Sequence, residues 1–252
     1  MSAHREVRIF PLSGVPEVKA GDYVAQLIAD AIRKLSWNIE HGDVFVVAQK
    51  IVSKAEGRIV SLAEIVPSAR ASEWAAAYQK DARVVELVLR EAASIVKMER
   101  GLIVARTRHG FVCANAGVDC SNTQAGTATL LPEDADASAR QLRKRLEKEF
   151  GVELAVIVSD SFGRPWREGL TNVALGVAGI SPLVDYRGSK DGSGNTLQMT
   201  VMARADEIAS AAELVMGKTE RVPVAIIRGV SIRDTAGSGQ DLIRPADKDL
   251  FK

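Results

Sequence analysis

The chain has 252 residues, 46% of them hydrophobic and 26% charged, with 33 Lys and Arg against 32 Asp and Glu for a formal net charge of +1. Such a composition excludes a disordered or fibrous chain, and a balanced charge without a long basic block argues against nucleic acid or an anionic membrane as the main partner. No apolar run reaches the roughly 18 residues of a membrane span, and the start, residues 1–6, lacks the apolar core of a signal peptide, so a cytoplasmic protein is expected.

Strand-like and helix-like periods alternate along the chain. Residues 7–10 read as a strand, broken by Gly14, Val15 and Pro16. Asp22 then precedes Val24, Leu27, Ile28, Ala31, Ile32 and Leu35, a helical stripe. After a turn at 41–43, residues 44–48 are apolar on both faces, as a strand buried between two layers should be. The spacing of Val84, Val85, Val88, Leu89 and Ala92 predicts one long helical stretch over about 68–98. Residues 102–105 and 111–114 read as a hairpin around 108–110. Ser138 and Gln141 fit a capping box that opens a helix through Leu142, Leu146 and Phe150. A second doubly buried strand follows at 154–158, then a helix at 206–216 and a strand at 224–227. The Gly/Ser-rich stretches 187–195 and 236–239 read as mobile surface loops. This is a mixed α/β chain without an obvious cut.

Two cysteines, Cys113 and Cys120, cannot form a disulfide framework, and the histidines (His4, His41, His109) are scattered. Any metal would therefore be hard and held by oxygens. Four segments gather polar groups directly after apolar runs. In 49–58, Lys54 and Arg58 could neutralise phosphates, but the segment alone favours an ordinary solvated loop. In 115–122, Asp119 and Asn122 fit either an oxygen-ligand site or a plain Asx turn. In 158–169, Asp160 and Ser161 at a strand end suit a divalent cation, with Arg164 and Arg167 able to grip an anion. In 212–219, Gly217, Lys218 and Thr219 imitate a phosphate loop, yet a helix precedes them and a strand follows. That order is the reverse of what a phosphate loop needs, and Gly217 reads as a helix C-cap. No nucleophile elbow, zinc-protease pair or calcium loop is present.

Taken together, the stretches 14–16 (Gly-Val-Pro), 52–58 (Val-Ser-Lys-Ala-Glu-Gly-Arg), 116–122 (Ala-Gly-Val-Asp-Cys-Ser-Asn), 159–164 (Ser-Asp-Ser-Phe-Gly-Arg) and 223–229 (Pro-Val-Ala-Ile-Ile-Arg-Gly) resemble the coenzyme F-420-0:L-glutamate ligase family, over residues 7–251. The resemblance implies an α+β fold of mixed β-sheets with flanking helices, built as an intertwined homodimer. It implies an enzyme that uses GTP to join L-glutamate to the phospholactyl-deazaflavin precursor of coenzyme F-420, with further γ-linked glutamates able to follow. It also implies magnesium or manganese, with help from potassium. By position, Asp119, Asp160 and Ser161 match the divalent-metal set. Val15, Pro16, Glu17, Val18, Gln49, Lys54, Asn122, Met216, Gly217, Lys218 and Thr219 match the nucleotide contacts, with Gln49 standing where relatives often carry Ser or Thr. Residues 1–252 are expected to be a single ligase domain, open to division into two subdomains, without the reductase domain that follows in some relatives.

Amide formation from a carboxylate requires an activated acyl group, here an acyl phosphate drawn from GTP. Phosphoryl transfer needs positioning and charge neutralisation, which Asp119 and Asp160 holding metal, together with Lys54, would supply. Two other classes account for part of the pattern. A metal-dependent phosphohydrolase explains the two carboxylates but not the Lys54 and Lys218 segments, and a non-catalytic nucleotide-binding protein predicts binding without turnover.

Overall fold

A computed structural model describes residues 6–232 and 237–250. The readings at residues 1–5 (with His4), at Ala236 and at Phe251 and Lys252 lie outside the described residues.

The doubly apolar strand β2 (Val44–Ala48) sits at the centre of a five-stranded sheet, as its pattern requires. The order is β1 (Arg8–Pro11), β12 (Val224–Arg228), β2, β8 (Ala155–Arg164) and β9 (Arg167–Ala178). β2 and β8 run parallel and the other pairs are antiparallel. One face carries α1 (Val24–Leu35) and α5 (Ala135–Phe150), whose Ile28, Ile32, Leu142 and Leu146 pack on Phe45, Val47, Val156 and Val158. The opposite face carries α6 (Arg204–Met216), whose Ile208, Ala209 and Ala212 pack on Val44, Val46, Ala155 and Ile157. Alternation of side chains along each strand thus feeds two cores. At Gly176 a Cβ would stand 2.2 Å from the Ala135 backbone, so only glycine lets the start of α5 rest on β9.

A third apolar cluster joins α3 (Ala69–Tyr78) and α4 (Ala82–Glu91) to a sheet of β4 (Ala92–Glu99), β5 (Leu102–Thr107) and β6 (Val112–Ala114). Beside it, β3 (Ile59–Ser61) pairs with β7 (Thr127–Thr129). β10 (Val184–Asp185) and β11 (Val201–Met202) form a small exposed ribbon. The architecture is α+β with mixed sheets, and among the described residues no helix is long and apolar enough to cross a membrane.

Four expectations need correction. The predicted long helix over 68–98 is two helices and a strand. Gln79 turns left-handed to end α3, Asp81 caps α4 by accepting from the Arg83 N–H, and the chain then becomes β4. β4 carries two register shifts against β5, which bring Ala92, Ile95 and Met98 to its inner side and give the strand a helix-like spacing of three. The helix read from Ser138 begins at Ala135, capped by Asp134, which accepts the Ala137 N–H at 2.8 Å; the Ser138 hydroxyl bonds the Asp134 carbonyl and Glu56 instead. The 49–58 segment is not a solvated loop. It is α2 (Gln49–Ala55), which leaves β2 without a break and buries Ile51, Val52, Ser53 and Lys54. Nor is the described end of the 236–239 stretch a loose surface loop. Gly239 is buried, and both its N–H and the Ser238 hydroxyl donate to the Asp136 carboxylate.

Candidate active site

Register explains where the polar groups collect. Ala48, the last residue of β2, pairs with Ser159, so Asp160 is the first residue of β8 to pass the end of β2. The chain that leaves β2 there is α2, and the hairpin β5–β6 leads into a turn that carries Asp119 to the same place. Lys50 Nζ reaches Asp119 Oδ2 at 2.7 Å and also donates to Ser121 Oγ at 2.6 Å and to the Ser121 carbonyl at 3.0 Å. Asp119 Oδ1 accepts the Ser121 N–H at 2.7 Å, so the Asx turn is real. It coexists with an ion pair that a purely structural turn does not need.

Asp160 is displaced well away from its ordinary chemistry. Burial pushes its carboxyl up to about 6, the nearby Asp119 charge pushes the same way, and the Ser161 N–H, Lys50 and Lys218 pull down less strongly. At Asp119 burial opposes ionisation too, but Lys50 and the Ser121 N–H outweigh it and leave that carboxyl below its usual range. Next along β8, the Ser161 hydroxyl donates to Asn172 Oδ1 at 2.6 Å and accepts from Lys218 Nζ. Lys218 stands just past Gly217, the C-cap of α6, so a helix-then-cation order delivers a lysine to the strand end without any phosphate loop.

Lys54 is buried on α2 and pairs with Glu17, which brings the 15–18 loop against the same helix; Val18 is buried and Val15 packs on the core. Gln49 is also buried. Its Oε1 accepts from Ser53 at 2.8 Å while its Nε2 has no hydrogen-bond partner among the described residues. Met216 is buried at the end of α6, and Thr219 bonds Glu220. Asn122 sits exposed in a left-handed turn. Arg164 and Arg167 form the exposed tip of the β8–β9 hairpin, where Arg164 Nη2 donates to the Glu168 carbonyl at 2.9 Å.

A family profile described as F420-0:Gamma-glutamyl ligase matches residues 14–229. The chain belongs to that ligase family. It is 46% identical over 249 residues to the coenzyme F420:L-glutamate ligase of Methanothermobacter thermautotrophicus, covering 98% of this chain and 99% of that protein. It is 43% identical over 251 residues to the enzyme of the same name from Methanocaldococcus jannaschii, covering 98% of both chains. Against that of Archaeoglobus fulgidus it is 38% identical over 247 residues, covering 98% of this chain and 96% of the other.

Within this member of the ligase family, no three His, Cys, Asp or Glu side chains among the described residues cluster as a metal cage. Two carboxylates and a hydroxyl are nonetheless what a magnesium-type ion takes from a protein when phosphate oxygens and water fill its other positions. The raised Asp160 carboxyl, facing a second carboxylate, is short of positive charge, so the donor set fits a hard divalent ion. Sequence reasoning missed Lys50, Ser121 and Asn172. Lys50 could have been found from the helical spacing of Lys50 and Lys54 on one short helix. Asn172 had no signal, because its strand was not recognised. Also missed was the buried Cys113, whose thiol burial and the Asp160 charge push up to about 12, which makes it a neutral wall of the site.

Proposed function

We propose that this chain joins L-glutamate to the phospholactyl-deazaflavin precursor of coenzyme F-420 at the expense of GTP, and that further γ-linked additions can follow. The observation that carries the reading is the meeting of Asp119 and Asp160 at one sheet end with Lys50 on the first and Lys218 on the neighbouring Ser161. In this reading Lys54, Lys50 and Lys218 receive the nucleotide phosphates, with the 15–18 loop, Gln49, Asn122 and the 216–219 turn around the nucleoside. A magnesium or manganese ion on Asp119, Asp160 and Ser161, with potassium as a helper, would neutralise charge spread over the transferring phosphoryl group.

The acceptor carboxylate attacks the γ-phosphorus and GDP leaves, giving an acyl phosphate. The glutamate α-amine then attacks the acyl carbon, phosphate departs and the amine loses a proton. No side-chain nucleophile is needed, which agrees with a Cys113 thiol held neutral. Residues 1–252 act as one ligase domain in the cytoplasm. Exposed Trp166 and Leu170 near the β8–β9 tip support a homodimer in which a second copy covers this hairpin, and bring Arg164 and Arg167 to a substrate.

Mass spectrometry of a reaction with GTP, glutamate and precursor tests the proposal. One added glutamyl unit with equimolar GDP is expected. GTP hydrolysis indifferent to glutamate would point to a phosphohydrolase, and binding without turnover would leave a nucleotide-binding protein.

A further inference from the structure

Beyond the end of β2, the sheet has two flanks. The α2 side, with Lys54 and the 15–18 loop, is occupied by the groups read for nucleotide. The β9 side carries a cavity of about 410 Å³ that no part of that reading uses. Phe111, Leu131 and Leu175 give it an apolar floor, and Arg108, His109 and Arg140 line it with cationic and ring nitrogen groups. Its size lies within the ~300–1,000 Å³ of small-molecule sites. The acidic Asp136 in its wall is already consumed, accepting from the N–H groups of Val177 and Gly239 and from the Ser238 hydroxyl. Its negative charge remains, and Glu133 and Asp134 also line the cavity, but Asp134 lies 3.7 Å from Arg140 and Glu133 3.8 Å from Arg58, so these two carboxylates are ion-paired.

An aromatic row joins this cavity to the carboxylates. The His109 and Phe111 rings lie 6.4 Å apart, and Phe111 meets Phe162 edge-on at 6.3 Å. Phe162 stands two residues after Asp160 on β8, hence on the same side of the strand. At the cavity end of the row, His109 Nε2 bonds the Glu133 carbonyl at 3.0 Å, while its buried Nδ1 has no hydrogen-bond partner among the described residues. Arg108 spends one N–H on the Arg90 carbonyl and Arg140 stands 3.7 Å from Asp134, so both guanidinium groups keep donors for a ligand.

We infer that this cavity holds the acceptor substrate: an aromatic ring system on the Phe111 and Leu175 floor, its phosphodiester toward Arg108 and Arg140, and its reacting carboxylate directed along Phe162 to Asp160. The inference rests on the ligase reading and adds the acceptor's seat to it. Sheet order then gives the chemistry its direction, with nucleotide over β2, acceptor over β9 and β8 between them.

Arg140→Glu and Gln240→Trp test this, since both positions are exposed and line the cavity, so neither change disturbs a core. Steady-state rates are measured with precursor and GTP varied in turn, alongside fluorescence titration with the phospholactyl-deazaflavin itself. Arg140→Ala and circular dichroism guard against a folding artefact. Each of the two variants should raise the KM and Kd for the precursor about tenfold or more, the size of losing a charge-assisted contact or of blocking a pocket, while KM for GTP stays within about twofold. An unchanged precursor KM in both variants, with wild-type turnover intact, would overturn the cavity assignment and leave the ligase reading standing. An equal rise for GTP would also overturn it. A wild-type protein that neither binds nor converts the precursor would overturn both.

Discussion

The two ends of β2 bury charge in opposite ways. At the start, Asp43 is fully buried and clamped by Arg228, whose Nε and Nη2 reach its two oxygens at 2.8 and 2.7 Å, while the Glu40 N–H adds a third bond at 2.9 Å. Arg228 also bonds Glu40 and the Asn38 carbonyl, and its ring-side contact is Phe10. At the far end, burial and the Asp119 charge raise the cost of ionising Asp160, and the cations nearby, Lys50 and Lys218, do not cancel it. One end is closed and complete, and so serves the fold. The other is short of positive charge around a half-buried carboxylate, and a perturbed group of that kind marks a candidate working site.

The largest effect should come from breaking the closed end. Arg228→Met would leave Asp43 buried beside a single backbone donor and should lower unfolding free energy by about 3 kcal/mol, with turnover per folded molecule preserved. Urea denaturation paired with an activity assay checks both halves. At the open end the pattern should invert. Asp160→Asn should cut turnover at least about a hundredfold, near 2.7 kcal/mol of barrier, while stability holds or rises because a strained buried charge is gone. Comparable stability losses at both ends would erase the contrast. Lys54→Ala should weaken GTP by about 1.5–2 kcal/mol, with precursor affinity retained, as calorimetry can measure.

The smallest effect is a slope. The Asp160 carboxyl is raised from 3.8 to about 6 in the folded chain, so between those values the folded state holds a proton that the unfolded chain has released. The metal-free protein should therefore lose stability through this group as pH rises across that window, and Asp160→Asn should remove that part of the pH dependence. Identical pH–stability curves for the two proteins would show that the carboxyl is not raised.

The same contrast explains what could be read from sequence. β2, β8 and β12 were legible because strands between two layers are apolar on both faces, and α1 because its stripe is unbroken. β4 misled because its two register shifts turn a period of two into one of three. α2 was hidden because its N-cap, Ala48, makes no side-chain bond, and because it spends Gln49, Lys50, Ser53 and Lys54 where a longer helix would place apolar residues. Asp119, Asp160 and Lys218 were singled out by chemistry, and the fold gathers them around Lys50. The cavity over β9 was invisible, since its walls come from β5–β6, α5, β9 and the 238–240 turn, and no short stretch holds more than a part of it.

Manganese binding, followed by electron paramagnetic resonance with a non-hydrolysable GTP analogue present, tests the open end most directly. Wild-type protein should take up the ion, and Asp119→Asn and Asp160→Asn should each weaken it by at least about tenfold, whereas Asp43→Asn should leave the affinity of its folded fraction unchanged. Undiminished manganese affinity in both open-end variants would contradict the account.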